Sequence, residues 1–245
     1  MDTLWIAATG ARSILHRQDV TTNNLANVDT TGYRAAQAQF RALPVYGEPL
    51  PSNAYVATQG TTADLQSGPI HHTGRNLDVA VNGPGWIAVQ GADGKQALTR
   101  NGDLELTSSG ALVTSTGQPV LGQGGAPITL PPMESVQIGT DGTISGVPSG
   151  SPASAIVVIN RIQLANPPAA DLQRGADGLF RSSQGPVQPD GNVQLVSGAL
   201  EGSNVNPVRS MVQMLENTRA FQLQTKLMQT VDQNRQASLQ LLNVS

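Results

Sequence analysis

The two ends of this chain lack the residues that break helices, whereas its middle is rich in them. Residues 2–27 contain one glycine and no proline, and residues 208–244 contain neither. The 245 residues include 26 glycines and 16 prolines, so all but one of these lie between the two end segments. Because both residue types disfavour a helix interior, this distribution predicts one helix at each end and a different structure between them.

Both end segments also show the apolar periodicity of a helix. Leu4, Ala8, Ala11 and Leu15 follow one another in steps of three and four, which places them on one helix face. In the second segment, Asn206 precedes Pro207, a pair that suits the cap and the first position of a helix. A helix through residue 244 is about 50 Å long, a length typical of coiled coils and bundles.

The segment from about residue 60 to residue 202 has the pattern of strands and turns. Short alternating or apolar runs, such as residues 77–81 and 86–89, are separated by turn pairs. Six such pairs favour tight hairpin turns: Asn82-Gly83, Asp93-Gly94, Asn101-Gly102, Asp141-Gly142, Asp177-Gly178 and Asp190-Gly191. Strands at intervals of about ten residues indicate a sandwich, a barrel or a rolled sheet. Residues 43–60 fit neither pattern and are predicted to form an extended linker.

Composition and motifs exclude several classes of function. The chain has no cysteine, which excludes disulfides, thiolate metal sites and a cysteine nucleophile. Its net charge of −3 argues against a nucleic-acid binder. It contains no nucleophile elbow, zincin or phosphate-loop motif, and the adjacent His71 and His72 point to opposite faces of a strand. We therefore expect no enzyme activity, no catalytic residue, no cofactor and no metal site.

Neither a membrane span nor a secretory signal is predicted. The chain has no run of about 20 mostly apolar residues. Its first residues place Asp2 before any cation, and Arg12 and Arg17 interrupt the apolar positions, unlike the pattern of a cleaved signal peptide.

The apolar stripes of the two predicted helices need a surface to pack against. Isolated helices are marginal in water and gain most of their stability from packing. The residues alone leave two possibilities open: the helices pack on each other within one chain, or they pack on neighbouring molecules.

Four segments carry a resemblance to a known family. These are residues 23–34 (NNLANVDTTGYR), 74–86, 98–102 and 200–208. Together they resemble the bacterial flagellar rod, hook and hook-associated proteins, in the same order along the chain. One departure is Ile87 after Trp86, where the family commonly has two aromatic residues.

The resemblance implies a structural subunit of the flagellar basal-body rod that polymerises through its terminal helices and transmits torque in motility. Residues 173–181 and 201–204 favour the proximal-rod type, and a distal-rod subunit is the alternative. The implied partners are other flagellar rod proteins, copies of the chain itself and the flagellar type III export apparatus. The implied location is the periplasmic rod, reached without a cleaved signal peptide. A soluble β-domain binding module, such as an adhesin, is the alternative from another class.

The expected fold is a mainly β central domain, rolled or barrel-like, with long α-helices at both termini that form a coiled-coil layer. The expected domains are an N-terminal helix in 1–30, an extended linker and junction in 31–75, a β domain in 76–200, and a C-terminal helix in 201–245 that packs with 1–30.

The expected assembly residues belong to these helices and their junctions. On the first helix they are Leu4, Ala11, Leu15 and Leu25, and on the second Met211, Leu215, Leu223, Leu227 and Val231. Asn24, Asn27 and Asn204 are expected to bond backbone groups at helix ends and junctions, with ordinary capping inside one subunit as the alternative.

Overall fold

A computed structural model describes residues 2–44, 54–152 and 154–242 of the chain. These residues form two compact units. Unit 1 comprises Met1–Asn27, Ala35–Asp64 and Val205–Ser245, and unit 2 comprises Val28–Arg34 and Leu65–Asn204. Each unit is therefore assembled from segments that are far apart in the sequence.

Unit 1 contains two helices and one hairpin. Helix α1 spans Asp2–Ala26 and helix α2 spans Pro207–Leu242. Strands β1 (Ala36–Pro44) and β2 (Ala54–Ala63) pair antiparallel, with a bulge between Gln39 and Phe40. Helix α1 packs against α2 and against both strands. The two terminal helices that glycine and proline distribution predicts are thus present.

Helix α2 begins at the residues that the sequence indicates. The Arg209 amide donates to Asn206 Oδ1 at 3.0 Å, and the Ser210 amide donates to the Asn206 carbonyl at 3.0 Å. Asn206 therefore caps the helix, and Pro207 occupies the first position, where no amide hydrogen is needed.

Unit 2 consists of short antiparallel strands. The strands are β3 Ile70–His72, β4 Val79–Asn82, β5 Trp86–Gln90, β6 Gln96–Thr99, β7 Leu104–Leu106, β8 Leu112–Thr114, β9 Met133–Ile138, β10 Thr143–Pro148, β11 Val157–Arg161, β12 Leu164–Ala165, β13 Leu172–Arg174, β14 Phe180–Ser182, β15 Gln194–Ser197 and β16 Ala199–Glu201. They form a five-stranded sheet of order β12-β5-β6-β14-β13, a three-stranded sheet β11-β10-β9, and the pairs β15-β4, β16-β3 and β7-β8. A 3-10 turn covers Ala169–Asp171.

The sheets of unit 2 enclose one aliphatic core. Aromatic side chains are scarce in the sequence, so branched aliphatic residues from many short strands fill the interior. The core residues are Val79, Val81, Ile87, Val89, Ala97, Leu104, Leu112, Val120, Ile128, Leu130, Val136, Ile138, Ile144, Ile162, Leu164, Leu179, Val193 and Leu195.

Three of the predicted turns share one geometry. In residues 91–95, the Gly94 amide donates to the Gly91 carbonyl at 2.9 Å, and the Gly91 amide donates to the Lys95 carbonyl at 2.8 Å. The same pair of bonds recurs in residues 139–143 and 175–179. Among the described residues only glycines have positive φ. The aspartate before each turn glycine therefore has a negative φ, unlike the first residue of the predicted tight turn. The hairpin loops therefore have three residues and end in a left-handed glycine, wider than the predicted tight turns.

The predicted barrel-like sheet and coiled-coil layer are wrong. In the described ranges the five-stranded sheet ends at β12 and β13 and the three-stranded sheet at β11 and β9, so both sheets are open. The terminal helices do not form a separate coiled-coil layer, because α1 packs on α2 and on the β1–β2 hairpin of the same unit. Apolar periodicity alone identifies a helix face that is suited to packing, without showing whether the same chain covers it.

The predicted division at residues 30, 75 and 200 stays a prediction. The predicted linker and junction of residues 31–75 contains the β1–β2 hairpin in the structure. Residues 45–53 of that predicted linker lie outside the described residues. In the described residues, neither α1 nor α2 contains an apolar stretch that is long enough to cross a membrane.

Candidate assembly surface

One face of α2 packs on α1. Its less exposed residues recur every three or four positions, and Gln224 on this face donates from Nε2 to the Ala7 carbonyl at 3.0 Å. A Cβ added to Gly10 lies 3.0 Å from the same Nε2, so the small residue permits the close approach. This α1-facing face comprises Ser210, Met214, Asn217, Phe221, Gln224, Met228 and Val231.

The opposite face of α2 is apolar and exposed. Its six large apolar side chains are between 50% and 69% exposed. At 3.6 residues per turn, they centre on the side of the helix opposite the α1-facing face. This outward α2 face comprises Val208, Met211, Val212, Leu215, Leu223 and Leu227.

An apolar surface of this kind indicates an interaction site. Single exposed apolar residues are ordinary, but several that lie close together, such as Val208, Met211, Val212 and Leu215, mark a surface that another molecule covers. Burying one leucine or valine side chain contributes about 1.5–3 kcal/mol. The exposed Arg219 and Lys226 interrupt the outward α2 face, so its apolar area is divided into an N-terminal and a C-terminal part.

The predicted helix residues fall into different environments. Met211, Leu215, Leu223 and Leu227 belong to the outward α2 face, whereas Val231 is half-buried on the α1-facing face. On α1, Ala11 is buried, Leu25 is half-buried and Leu15 is exposed. The side chain of Leu4 lies outside the described residues. The assembly role of all these residues stays a prediction.

The three asparagines bond backbone groups of the same chain. Asn24 donates from Nδ2 to the Ala36 carbonyl at 2.8 Å and accepts from the Ala36 amide at 2.7 Å, which fixes β1 to α1. Asn27 donates to the Asn23 carbonyl at 2.8 Å, and Asn204 donates to the Gln66 carbonyl at 2.9 Å. Their further role in assembly stays a prediction.

Unit 2 holds a buried ion cluster that the sequence analysis missed. Glu201 Oε1 lies 2.8 Å from Arg34 Nη1, and Glu201 Oε2 lies 2.9 Å from Arg100 Nη1. The side chains of Arg34 and Glu201 are 0% exposed and that of Arg100 is 3% exposed. Both guanidinium groups lie over the Trp86 ring, at 5.9 and 5.4 Å from its centroid.

Backbone groups add further hydrogen bonds to this cluster, although Arg34 Nε, Arg34 Nη2 and Arg100 Nε have no partner among the described residues. Glu201 Oε1 accepts from the Gly68 amide at 2.9 Å, Arg34 donates to the Gln66 carbonyl at 2.7 Å, and Arg100 donates to the Gly83 carbonyl at 2.7 Å. Two cations share one carboxylate, so the carbonyl oxygens and the Trp86 face offset the second positive charge. Burial lowers the pKa of Arg100, and the Glu201 carboxylate opposes that effect.

The cluster joins the four segments that carry the family resemblance. Arg34 comes from 23–34, Trp86 from 74–86, Arg100 from 98–102 and Glu201 from 200–208. Because Arg34, Trp86, Arg100 and Glu201 contact one another in one buried cluster, there is a physical reason for an arginine, a tryptophan and a glutamate at these positions. The described part of the chain shows no group of three or more His, Asp or Glu side chains that could hold a metal ion.

Three family models match successive parts of the chain. The model described as "Flagella basal body rod protein" matches residues 6–34. The model described as "Flagellar hook protein FlgE/F/G D1 domain" matches residues 80–146, and "Flagellar basal body rod FlgEFG protein C-terminal" matches residues 196–241.

Curated relatives match over the full length. The flagellar basal-body rod protein FlgF of Escherichia coli K12 is 42% identical over 253 residues, and that of Salmonella typhimurium is 40% identical, each covering 100% of both chains. A FlgG protein of Buchnera aphidicola is 31% identical over 97% of this chain and 98% of its own. The chain therefore belongs to the flagellar basal-body rod proteins. It is a structural component of the flagellar basal body and is more similar to these two FlgF proteins than to the FlgG protein. The resemblance seen in the sequence is thereby confirmed.

Proposed function

We propose that this chain is a proximal-rod subunit that joins neighbouring subunits through the outward α2 face and transmits torque along the rod. The observation that carries this proposal is the set of six exposed apolar side chains on one face of a helix whose other face packs on α1. The proximal position is supported by the 42% and 40% identity to the FlgF proteins of Escherichia coli and Salmonella typhimurium, against 31% to the Buchnera aphidicola FlgG protein.

The division of α2 into two faces suits a subunit of a shaft. The α1-facing face stabilises unit 1, so the outward α2 face is available for a neighbour. Helix α1 also leaves Trp5 and Leu15 exposed, at 61% and 47%. A contact between different surfaces of successive subunits is heterologous, and repeating it builds a helical polymer.

The proposed partners are other flagellar rod proteins and further copies of this chain. We place the assembled chain in the periplasmic rod, reached through the flagellar type III export apparatus without cleavage of a signal peptide. Membership of the rod family supports this route.

The proposal is tested in a bacterium whose own copy of the gene is deleted. We expect the deletion strain to lose swimming, the gene to restore it, and the chain to co-purify with basal bodies. Mass spectrometry of the purified chain is expected to recover residues 2–12 uncleaved. Normal basal bodies in the deletion strain, or a restored chain found only outside them, would contradict the proposal.

A further inference from the structure

Strand β11 forms a free edge in unit 2. It is the outer strand of the sheet β11-β10-β9, and among the described residues it pairs with β10 along one side. On its other side, the Arg161 carbonyl accepts from the Gln123 amide at 3.1 Å. Upstream of this contact β11 is bulged, because its register with β10 skips Ile159 between Val158 and Asn160. The regular open edge is therefore confined to Val157 and Val158.

This edge is unusually apolar for an exposed strand. Ile156 and Val158 are 65% and 72% exposed, and Val157 is 43% exposed. No charged residue occurs from Ser154 to Asn160. Exposed edge strands are ordinarily protected by charge, proline or a bulge, because their unpaired amides and carbonyls accept another strand. This edge has a bulge at Ile159, but Val157 and Val158 have neither a charge nor a proline beside them.

The order of the apolar residues makes the edge complementary to itself. We propose that a second copy of this chain pairs its β11 antiparallel with this β11, about a two-fold axis at Val157. Val157 then faces the second copy's Val157, and Ile156, the residue directly before β11, faces Val158 in both directions. Each pair lies on one face of the joined sheet because side chains alternate along a strand. No charge opposes another, and the contact is isologous.

The other edge of the same sheet fits β11 less well. Strand β9 exposes Glu134, Ser135 and Gln137, so a β11–β9 contact between copies places polar groups beside Ile156 and Val158. Two short strands bury less area than a standard stable interface. The dimer is therefore weak and depends on concentration. It is separate from the outward α2 face, which lies in unit 1.

Sedimentation velocity on the full-length chain tests the dimer. Over about a hundredfold range of concentration around the micromolar level, we expect a reversible monomer–dimer equilibrium. Val158→Lys removes it, because two lysines then flank the axis, whereas Leu223→Asp on the outward α2 face leaves it unchanged. A monomer at every concentration overturns the proposal, as does a dimer lost in Leu223→Asp and kept in Val158→Lys.

Thiol cross-linking tests the register. The chain has no cysteine, so one introduced thiol reports on one position. Val157→Cys lies on the axis, where cross-strand neighbours approach closely enough for a disulfide, and we expect a covalent dimer under mild oxidation. Val158→Cys faces Ile156 instead and should cross-link much more slowly. Equal cross-linking of both variants overturns the proposed pairing.

Discussion

Replacing Glu201 with glutamine lowers the free energy of unfolding by about 3–5 kcal/mol, because it leaves two buried guanidinium groups without a counter-charge. Arg34 and Arg100 each lie within 3 Å of that carboxylate, and both side chains are buried. Domains of ordinary stability unfold with about 5–15 kcal/mol. We therefore expect the Glu201→Gln chain to populate unfolded unit 2 at moderate temperature.

Urea unfolding, followed by tryptophan fluorescence, measures this effect, because Trp86 lies against both guanidinium groups. Glu105→Gln is the matched control: Glu105 is exposed on β7, so the same chemical change is expected to cost less than about 0.5 kcal/mol. Adding Arg100→Met to Glu201→Gln removes one uncompensated charge and should recover part of the loss. Equal stability of Glu201→Gln and the control would show that the cluster contributes little.

Replacing Leu227 or Leu223 with aspartate abolishes swimming while the chain still folds. Both side chains are more than half exposed on the outward α2 face, so the free chain tolerates the change. In the assembled rod the new carboxylate lies in an apolar contact, where an unpaired charge costs several kcal/mol. Soft-agar motility measures the loss, and circular dichroism of the purified variant verifies the fold.

Gln213→Asp is the control for both variants. Gln213 is exposed on α2 but lies beside the α1-facing face rather than on the outward α2 face. It introduces the same charge on the same helix, and we expect cells carrying it to swim. Motile Leu223→Asp and Leu227→Asp cells with the variant chain in their basal bodies would exclude the outward α2 face as an assembly contact.

The terminal helices were predictable because their signals are local. The absence of glycine and proline, the apolar spacing and the Asn206-Pro207 pair together locate α2 within a few residues. What the sequence could not show is which face of α2 packs inside the chain. Six large apolar side chains lie outward, whereas the α1-facing face mixes apolar residues such as Phe221 with Ser210, Asn217 and Gln224. A polar residue such as Gln224 joins that face through a bond to the Ala7 carbonyl.

The ion cluster was not predictable from the sequence because its members are far apart in the chain. Arg100 and Glu201 are 101 residues apart, and no local pattern distinguishes Glu201 from a solvated loop residue. The same limit applies to the sheets. Local spacing indicated short strands, but whether they close into a barrel depends on pairings such as β15 with β4 and β16 with β3.

The accessibility of the outward α2 face before and after assembly tests most directly whether this face joins subunits in the rod. Because the chain has no cysteine, Leu215→Cys places a single thiol on that face. Labelling by a maleimide is compared between the free chain and purified basal bodies, with denatured samples giving the full reactivity. We predict rapid labelling of the free chain and protection in basal bodies. Equal labelling in both would contradict the assignment of this face to subunit contacts.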